Sequence, residues 1–121
     1  MNELSDAYKI LRNSDFDSVI PVVKFSYPIW RSLKLNENSN LLKPVWPEFM
    51  NTRSQDLPNA YHDCGQFYFF KTQPFLESHL LFTQNTYGLE KSELAVQDID
   101  VEADWKIAEM KYKSLFDDRD Y

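Results

Sequence analysis

The fold is decided around residues 18–25, which read Ser-Val-Ile-Pro-Val-Val-Lys-Phe. This stretch is rich in β-branched side chains, which favour a pleated and buried strand. Pro21 has no N–H to donate to a sheet, and it therefore predicts a bulge or an edge position within that strand. Upstream, residues 6–12 place their apolar side chains on one side of a short helix. The sequence thus predicts that a helix leads into a buried strand.

A β-hairpin is predicted after this strand. Residues 31–35 alternate between polar and apolar side chains, residues 36–40 form a polar turn, and a second apolar arm runs through Leu42 and Val45. Large aromatic side chains in and after this region are too numerous for a hairpin and a loop to hide: Tyr27, Trp30, Trp46, Phe49, Phe69 and Phe70. We expect some of them to form a satellite core and the rest to lie in a subunit interface.

The second half of the chain predicts a mixture of strands and helices. Strand character returns at residues 64–70, 80–83 and 96–99, and residues 72–78 favour a helical turn. Residues 117–120 are charged and are expected to form a solvated tail. This pattern is typical of an α/β or mixed domain.

The segment from residue 97 to residue 105 carries two carboxylates in front of a helix. Asp98 and Asp100 stand two positions apart on a segment predicted to be extended, so their side chains point the same way. Mg²⁺ prefers carboxylate oxygens and leaves its other positions to water and substrate phosphates, so the pair indicates a metal site. The alternative is that Asp100 only caps the helix and that Asp98 is a solvated strand end.

The helix behind this pair is predicted to pack on a core. Its apolar stripe along residues 101–115 comprises Val101, Trp105, Ala108, Tyr112 and Leu115. The two carboxylates therefore lie at a strand-to-helix junction, where α/β proteins tend to bind ligands.

The composition limits the class of protein. A chain of 121 residues is at most one domain, and 19 acidic against 13 basic residues give a net charge of −6, which disfavours a nucleic-acid partner. The single cysteine, Cys64, excludes an internal disulfide and favours a reducing compartment. No apolar run approaches the ~20 residues of a membrane span, and the N-terminus has no signal-peptide pattern. These features predict a cytoplasmic protein with no membrane or nucleic-acid partner.

Two ordered motif blocks resemble those of the acylneuraminate cytidylyltransferases, the enzymes that activate nine-carbon sugar acids with CTP. The first block reads RSQDLP at residues 53–58 and is followed by Tyr61, Gly65 and Tyr68. The second reads QDID at residues 97–100 and is followed by DW at 104–105 and AE at 108–109. Residues 61–68, YHDCGQFY, are most similar to the branch that activates pseudaminic acid. Branches that activate sialate or legionaminate are the alternatives.

The resemblance implies a fold and an assembly. Residues 1–121 would form one α/β domain, the C-terminal part of a Rossmann-like nucleotidyltransferase sheet. A long β-hairpin extension at about 24–60 would mediate a homodimer and reach the neighbouring active site. The metal motif and the C-terminal helix would occupy about 96–116.

One part of the family pattern is not matched. The family carries a glycine-rich loop that binds CTP, whereas this chain has only Gly65 and Gly88. It cannot wrap a glycine-rich run of backbone N–H groups around a triphosphate. We therefore expect a fragment that is inactive alone, and the rival hypothesis is a non-catalytic remnant that at most dimerises.

The resemblance also implies roles for particular residues. The sugar's anomeric hydroxyl would attack the α-phosphate of CTP, with Mg²⁺ held by the catalytic carboxylates Asp98 and Asp100. Arg53 and Gln55 would bind the sugar acid, and the Arg53 guanidinium would pair with the sugar's carboxylate. Tyr68 and His62 are also assigned to the sugar, since Tyr68 would pack beside it and His62 would read its substituents.

Three of these substrate residues have a structural alternative. Arg53 could simply tie its loop to Asp56. Tyr68 could be an ordinary core aromatic residue, and His62 a hydrogen-bonded polar residue near the core. These alternatives predict specific contacts, which the structure can reveal.

Overall fold

The computed structural model describes residues 2–116, and the chain divides into two compact units. We call Met1–Val23 together with Asp63–Tyr121 the sheet unit, and Lys24–His62 the hairpin unit. The expected solvated tail at 117–120 lies outside the described residues. In chain order the helices and strands are α1 (Glu3–Arg12), β1 (Ser18–Lys24), β2 (Leu33–Leu35), β3 (Leu42–Pro44), β4 (Tyr61–Asp63), β5 (Phe69–Phe70), α2 (Thr72–Ser78), β6 (Thr86–Glu90) and α3 (Glu102–Phe116).

Strand β1 lies inside a four-stranded sheet. β6 pairs with it in parallel from Ser18 opposite Thr86 to Val22 opposite Glu90, and β5 pairs with its first two residues in antiparallel fashion. The remaining neighbour is β4, in the order β4-β1-β5. The sheet is therefore mixed, and with its helices it agrees with the predicted α/β class.

Pro21 is fully buried within this central strand, so the predicted edge position is wrong. Its carbonyl still accepts a hydrogen bond from the Cys64 N–H at 3.1 Å. Pro21 lacks only the backbone N–H. The segment beside it at this point is the irregular stretch of residues 64–68, between β4 and β5. No ladder donor is required at that point.

The core of the sheet unit forms between α1 and the sheet. Ala7 and Leu11 pack with Val19 of β1, and partly buried Ile10, Phe67, Phe69 and Leu89 surround them. The predicted helix at 6–12 is therefore confirmed, although it begins earlier, at Glu3. An ion pair between Glu3 and Lys91 also ties the start of α1 to the residue that follows β6.

Three predicted strands are corrected by the structure. Residues 80–83 and 96–99 form no strand, and within 64–70 only Phe69–Phe70 is a strand. The strand β6 at Thr86–Glu90 was not predicted. The Leu81 carbonyl accepts the Ser18 hydroxyl at 2.7 Å, so side-chain bonds rather than a ladder hold this part of the chain. By contrast, the predicted helical turn at 72–78 is confirmed as α2.

The hairpin unit contains the predicted hairpin, formed by β2 and β3. Leu33 stands opposite Pro44, and Leu35 opposite Leu42, whereas Lys34 stands opposite Lys43. Because side chains alternate between the two faces of a strand, one face is apolar and the other carries both lysines. The hairpin strands are only three residues long each.

A small aromatic cluster supports the hairpin unit. Trp30 lies 5.6 Å from Trp46 and 5.8 Å from Phe49, measured between ring centroids. Its indole N–H donates to the Pro58 carbonyl at 2.9 Å. These three rings are the expected satellite core, whereas Tyr27 is 84% exposed.

None of the helices found within residues 2–116 has the length and apolar character needed to cross a lipid bilayer.

A polar network fixes the start of β1. Asp17 accepts hydrogen bonds from the Thr83 hydroxyl at 2.8 Å and from the Asn85 amide at 3.3 Å. The Asn85 amide also donates to the Asp15 carbonyl at 2.6 Å. These bonds hold the loop that leads into β6 against the residue that precedes β1.

We expect Asp17→Ala to lower the free energy of unfolding by about 1–3 kcal/mol, because it removes a charged acceptor and leaves two donors without it. Urea unfolding followed by circular dichroism measures this change. Asp15→Ala is the matched control, since only the backbone carbonyl of Asp15 takes part in the network. Equal stability of both variants would contradict the structural role of the network.

Candidate active site

The carboxylates of Asp98 and Asp100 lie on an irregular, exposed segment in front of α3. Val96 anchors the segment on the N-terminal side of Asp98. Val96 is buried with Val23 and Cys64, and its carbonyl accepts the Lys111 ammonium of α3 at 2.7 Å. The two carboxylates are therefore held near the start of α3 without being part of a strand.

The helix cap is provided by Asp104 rather than by Asp100. One carboxylate oxygen of Asp104 accepts the backbone N–H groups of Asp100 at 3.1 Å and Val101 at 3.0 Å. An acidic side chain at the third helical position that reaches back in this way is one half of a capping box. The interpretation of Asp100 as a side-chain cap is therefore wrong.

Asp98 and Asp100 are chemically suited to a hard cation. Neither carboxylate is engaged by a hydrogen bond or an ion pair from another residue between 2 and 116. The same part of the chain contains no group of three or more His, Cys, Asp or Glu side chains able to hold a metal ion. Since Mg²⁺ often uses only one or two protein carboxylates, two acidic side chains fit it without a third.

Helix α3 packs less completely than the sequence predicts. Of the predicted stripe, Ala108 and Leu115 are partly buried against residues 94–97. Val101, Trp105 and Tyr112 remain more than half exposed. The helix thus rests on the short segment before the carboxylates, and its apolar edge stays open in this chain.

Tyr68 lies in the sheet unit beside two carboxylates. Its hydroxyl donates to Asp63, and this hydrogen bond is the main reason that the pKa of Tyr68 is raised above its ordinary value. Burial, the charge of Asp63 and the charge of Asp98 raise it further. Tyr68 is 38% exposed, so the interpretation as a core aromatic residue is wrong.

The loop that carries Tyr68 is braced on both sides. Asp63 also accepts the Gly65 N–H at 2.8 Å, and Gly65 adopts a φ of +67°, which a residue with a side chain rarely tolerates. Gln66 donates from its side-chain amide to the Ala95 carbonyl at 3.2 Å. The tyrosine hydroxyl is therefore held close to the segment that bears Asp98.

Arg53, Gln55 and His62 belong to the hairpin unit. Arg53 Nε lies 2.8 Å from Asp56, the loop contact that the structural alternative predicts, and its side chain is 73% exposed. His62 is exposed and its ring centroid lies 4.9 Å from that of Phe25. Gln55 lines a pocket of about 370 Å³ formed by residues 24–29, 54–55 and 57–60.

The structure adds two residues that sequence analysis did not assign. Asp63 fixes the Tyr68 hydroxyl, and Asp104 fixes the backbone after Asp98. The signal for Asp104 is its position three residues into the predicted helix, where an acidic residue favours capping. Asp63 gives no such signal, because its contact to Tyr68 depends on the turn at Gly65.

Comparisons with known proteins place these residues in context. No family model matches the chain. It is 40% identical over 97 residues to the "Pseudaminic acid cytidylyltransferase and UDP-2,4-diacetamido-2,4,6-trideoxy-beta-L-altropyranose hydrolase" of Helicobacter pylori, covering 79% of this chain and 18% of that protein. It is 34% identical over 112 residues to a pseudaminic acid cytidylyltransferase of Campylobacter jejuni, covering 93% and 48%. It is 28% identical over 108 residues to N-acylneuraminate cytidylyltransferase A of Danio rerio, covering 89% and 25%.

The chain is homologous to part of the acylneuraminate cytidylyltransferases, and the resemblance predicted from the two motif blocks is confirmed. The matches at 34–40% identity are to pseudaminic acid cytidylyltransferases. The chain spans about half the length of the Campylobacter relative.

We expect Asp104→Ala to lower the free energy of unfolding by about 0.5–2 kcal/mol, because two backbone N–H groups at the start of α3 lose their acceptor. Thermal unfolding followed by circular dichroism measures the loss. Asp100→Ala is the control and should leave stability nearly unchanged, because only its backbone N–H is bonded. A larger loss of stability in Asp100→Ala than in Asp104→Ala would identify Asp100 as the cap instead.

Proposed function

We propose that this chain carries the metal-binding and sugar-binding residues of a pseudaminic acid cytidylyltransferase. The reaction converts CTP and the sugar acid to the CMP-sugar and pyrophosphate. The observation that carries the proposal is the 34% identity over 112 residues to the Campylobacter jejuni enzyme. It is supported by Asp98 and Asp100 in front of α3, two carboxylates that no other residue between 2 and 116 engages by a hydrogen bond or an ion pair. Sialate and legionaminate are the alternative sugars, and a cytoplasmic location is part of the proposal.

The proposed fold is the C-terminal part of a Rossmann-like nucleotidyltransferase sheet. Its support is the parallel pairing of β1 with β6, since parallel strands require crossover connections of the α/β type. The remaining strands and the CTP loop would belong to the half of the relatives that this chain does not span.

Asp98 and Asp100 would hold Mg²⁺, which when bound supplies positive charge against the phosphates. The sugar's anomeric oxygen would attack the α-phosphorus of CTP and form a new oxygen–phosphorus bond. The bond from the α-phosphorus to the oxygen that bridges to the β-phosphate would break, pyrophosphate would leave, and the hydroxyl proton would pass to solvent. The Tyr68 hydroxyl donates to Asp63, which raises its pKa above its ordinary value, so Tyr68 would pack beside the sugar as a neutral side chain.

Arg53, Gln55 and His62 are proposed to contact the sugar acid from the hairpin unit. Gln55 lines the pocket of that unit, and His62 packs against Phe25, which also lines it. Arg53 lies on the same loop as Gln55, and its ion pair with Asp56 engages only its Nε.

The metal role predicts a specific kinetic change in a complete enzyme, made by joining this chain to the Campylobacter segment that it does not span. Asp98→Asn and Asp100→Asn should each raise the Mg²⁺ requirement by at least about tenfold, since even the loss of an outer-shell partner can cost that much. Pyrophosphate release during a Mg²⁺ titration at saturating CTP measures the effect, with circular dichroism as the check on folding.

Glu102→Gln is the matched control, because Glu102 is an exposed acid in the first turn of α3. It should leave the Mg²⁺ requirement unchanged. The unmodified chain alone should release no pyrophosphate, because its 121 residues contain no glycine-rich run that could bind the phosphates of CTP. An inactive complete enzyme would favour the rival hypothesis of a non-catalytic remnant, and near wild-type titrations of both Asn variants would remove the metal role.

A homodimer formed through the hairpin is also proposed. Its support is the exposed apolar face of the hairpin, where Leu33, Leu35 and Leu42 are 50%, 51% and 58% exposed. Such a face favours burial against a partner.

Analytical ultracentrifugation at micromolar concentration should therefore detect a dimer. Leu35→Glu should weaken the dimer by roughly tenfold or more, because a buried leucine contributes about 1.5–3 kcal/mol. Lys34→Glu, on the opposite face of the same strand, should not weaken it. A monodisperse monomer of the wild-type chain would contradict the proposed interface.

A further inference from the structure

The side chains that line the pocket of the hairpin unit favour a negatively charged ligand. Its lining comprises Lys24, Phe25, Ser26, Tyr27, Pro28, Ile29, Ser54, Gln55, Leu57, Pro58, Asn59 and Ala60. Among these residues, Lys24 is the one charged side chain, and no carboxylate lines the pocket. Among the lining side chains, a negatively charged ligand would therefore meet one cation and no carboxylate.

The walls of this pocket are joined by hydrogen bonds. The Phe25 N–H donates to the Ala60 carbonyl at 2.9 Å, and the Trp30 indole donates to the Pro58 carbonyl at 2.9 Å. These bonds connect the segment that carries Lys24 to the segment that carries Gln55. The pocket is therefore formed before any ligand binds, as most small-molecule sites are.

The size and the polar groups fit a monosaccharide. A volume of about 370 Å³ is within the usual range for small-molecule sites. Gln55 and Asn59 provide amide groups for hydroxyl and acylamido substituents, and Phe25 gives a flat apolar wall. A nucleoside triphosphate fits less well, because a single lysine cannot balance several phosphate charges.

The charge of the surrounding unit supports the same assignment. Residues 24–62 contain five Lys and Arg against three Asp and Glu, whereas the rest of the chain contains eight against sixteen. The hairpin unit is thus the cationic part of an acidic chain. An anionic substrate would be attracted to it more than to the sheet unit.

We propose that this pocket is the seat of the carboxylated sugar and that the Lys24 ammonium pairs with the sugar's carboxylate. The inference rests on the proposed function, because it names the site at which that enzyme takes its sugar acid. The inference assigns Lys24, the last residue of β1, to the sugar site in addition to residues of the Arg53–Pro58 loop. Arg53 itself does not line the pocket.

The test measures binding of three ligands to the full chain by isothermal titration calorimetry: pseudaminic acid, its methyl ester, and CTP without metal. The wild-type chain should bind the free acid more tightly than the ester. Lys24→Met should weaken binding of the acid by roughly ten- to a hundredfold, the usual effect of losing a charge-assisted bond, and should leave binding of the ester unchanged. Lys24→Arg should retain binding of the acid.

Lys43→Met is the matched control, because Lys43 is a cation of the same unit that lies on the hairpin and outside this pocket. It should bind the acid like the wild type, and circular dichroism of both variants excludes a folding defect. Equal affinity of Lys24→Met and wild type for the acid would overturn the assignment of Lys24. CTP binding that depends on Lys24 would overturn the sugar in favour of phosphate.

Absence of sugar-acid binding by the wild-type chain would overturn the pocket itself. That result is distinguishable from failure of the proposed function, which is decided separately by pyrophosphate release from the complete enzyme. An active complete enzyme whose rate is unaffected by Lys24→Met at low sugar concentration would retain the function and reject this site.

Discussion

Strand β1 is hydrogen-bonded on both of its edges, and the sheet unit depends on this constraint. The carbonyls of successive residues point to opposite sides, so Pro21 accepts from Cys64 while Val22 accepts from Lys91 at 2.8 Å. Buried backbone groups must be paired, which leaves the segments on either side little freedom to slide. Val19 and Ile20 are fully buried, and α1 packs on Val19. The loop of Tyr68 and the strand β6 are therefore placed by their bonds to one strand.

The two units differ in charge, and the difference is consistent with the two kinds of ligand that we propose. The sheet unit is strongly acidic and contains the exposed carboxylates before α3, which favour a cation. The hairpin unit carries a small positive excess and a pocket without carboxylates.

Local sequence patterns predicted the helices and the hairpin because those elements depend on nearby residues. The strand β6 was missed because Gly88 and Glu90 have low strand propensity. Packing favours a glycine there, since a Cβ at this position would lie 3.3 Å from Val22 Cγ2 on β1. Residues 96–99 were predicted to form a strand because Val96 and Ile99 favour one. They form no strand, because the Val96 carbonyl accepts a hydrogen bond from Lys111 of α3 rather than from a neighbouring strand. Asp98, Asp100 and Gln55 could be chosen from the motifs, whereas Asp63 and Lys24 needed the fold.

The structural and functional interpretations of Arg53 are compatible. Its ion pair with Asp56 uses Nε and is exposed, so it contributes little to stability. A guanidinium has five donors, and a bond through Nε leaves the two terminal nitrogens for an anion. Holding the side chain in one rotamer before binding reduces the conformational entropy that a ligand must overcome. The ion pair with Asp56 is therefore compatible with the proposed anion-binding role of Arg53 as well as with a structural role.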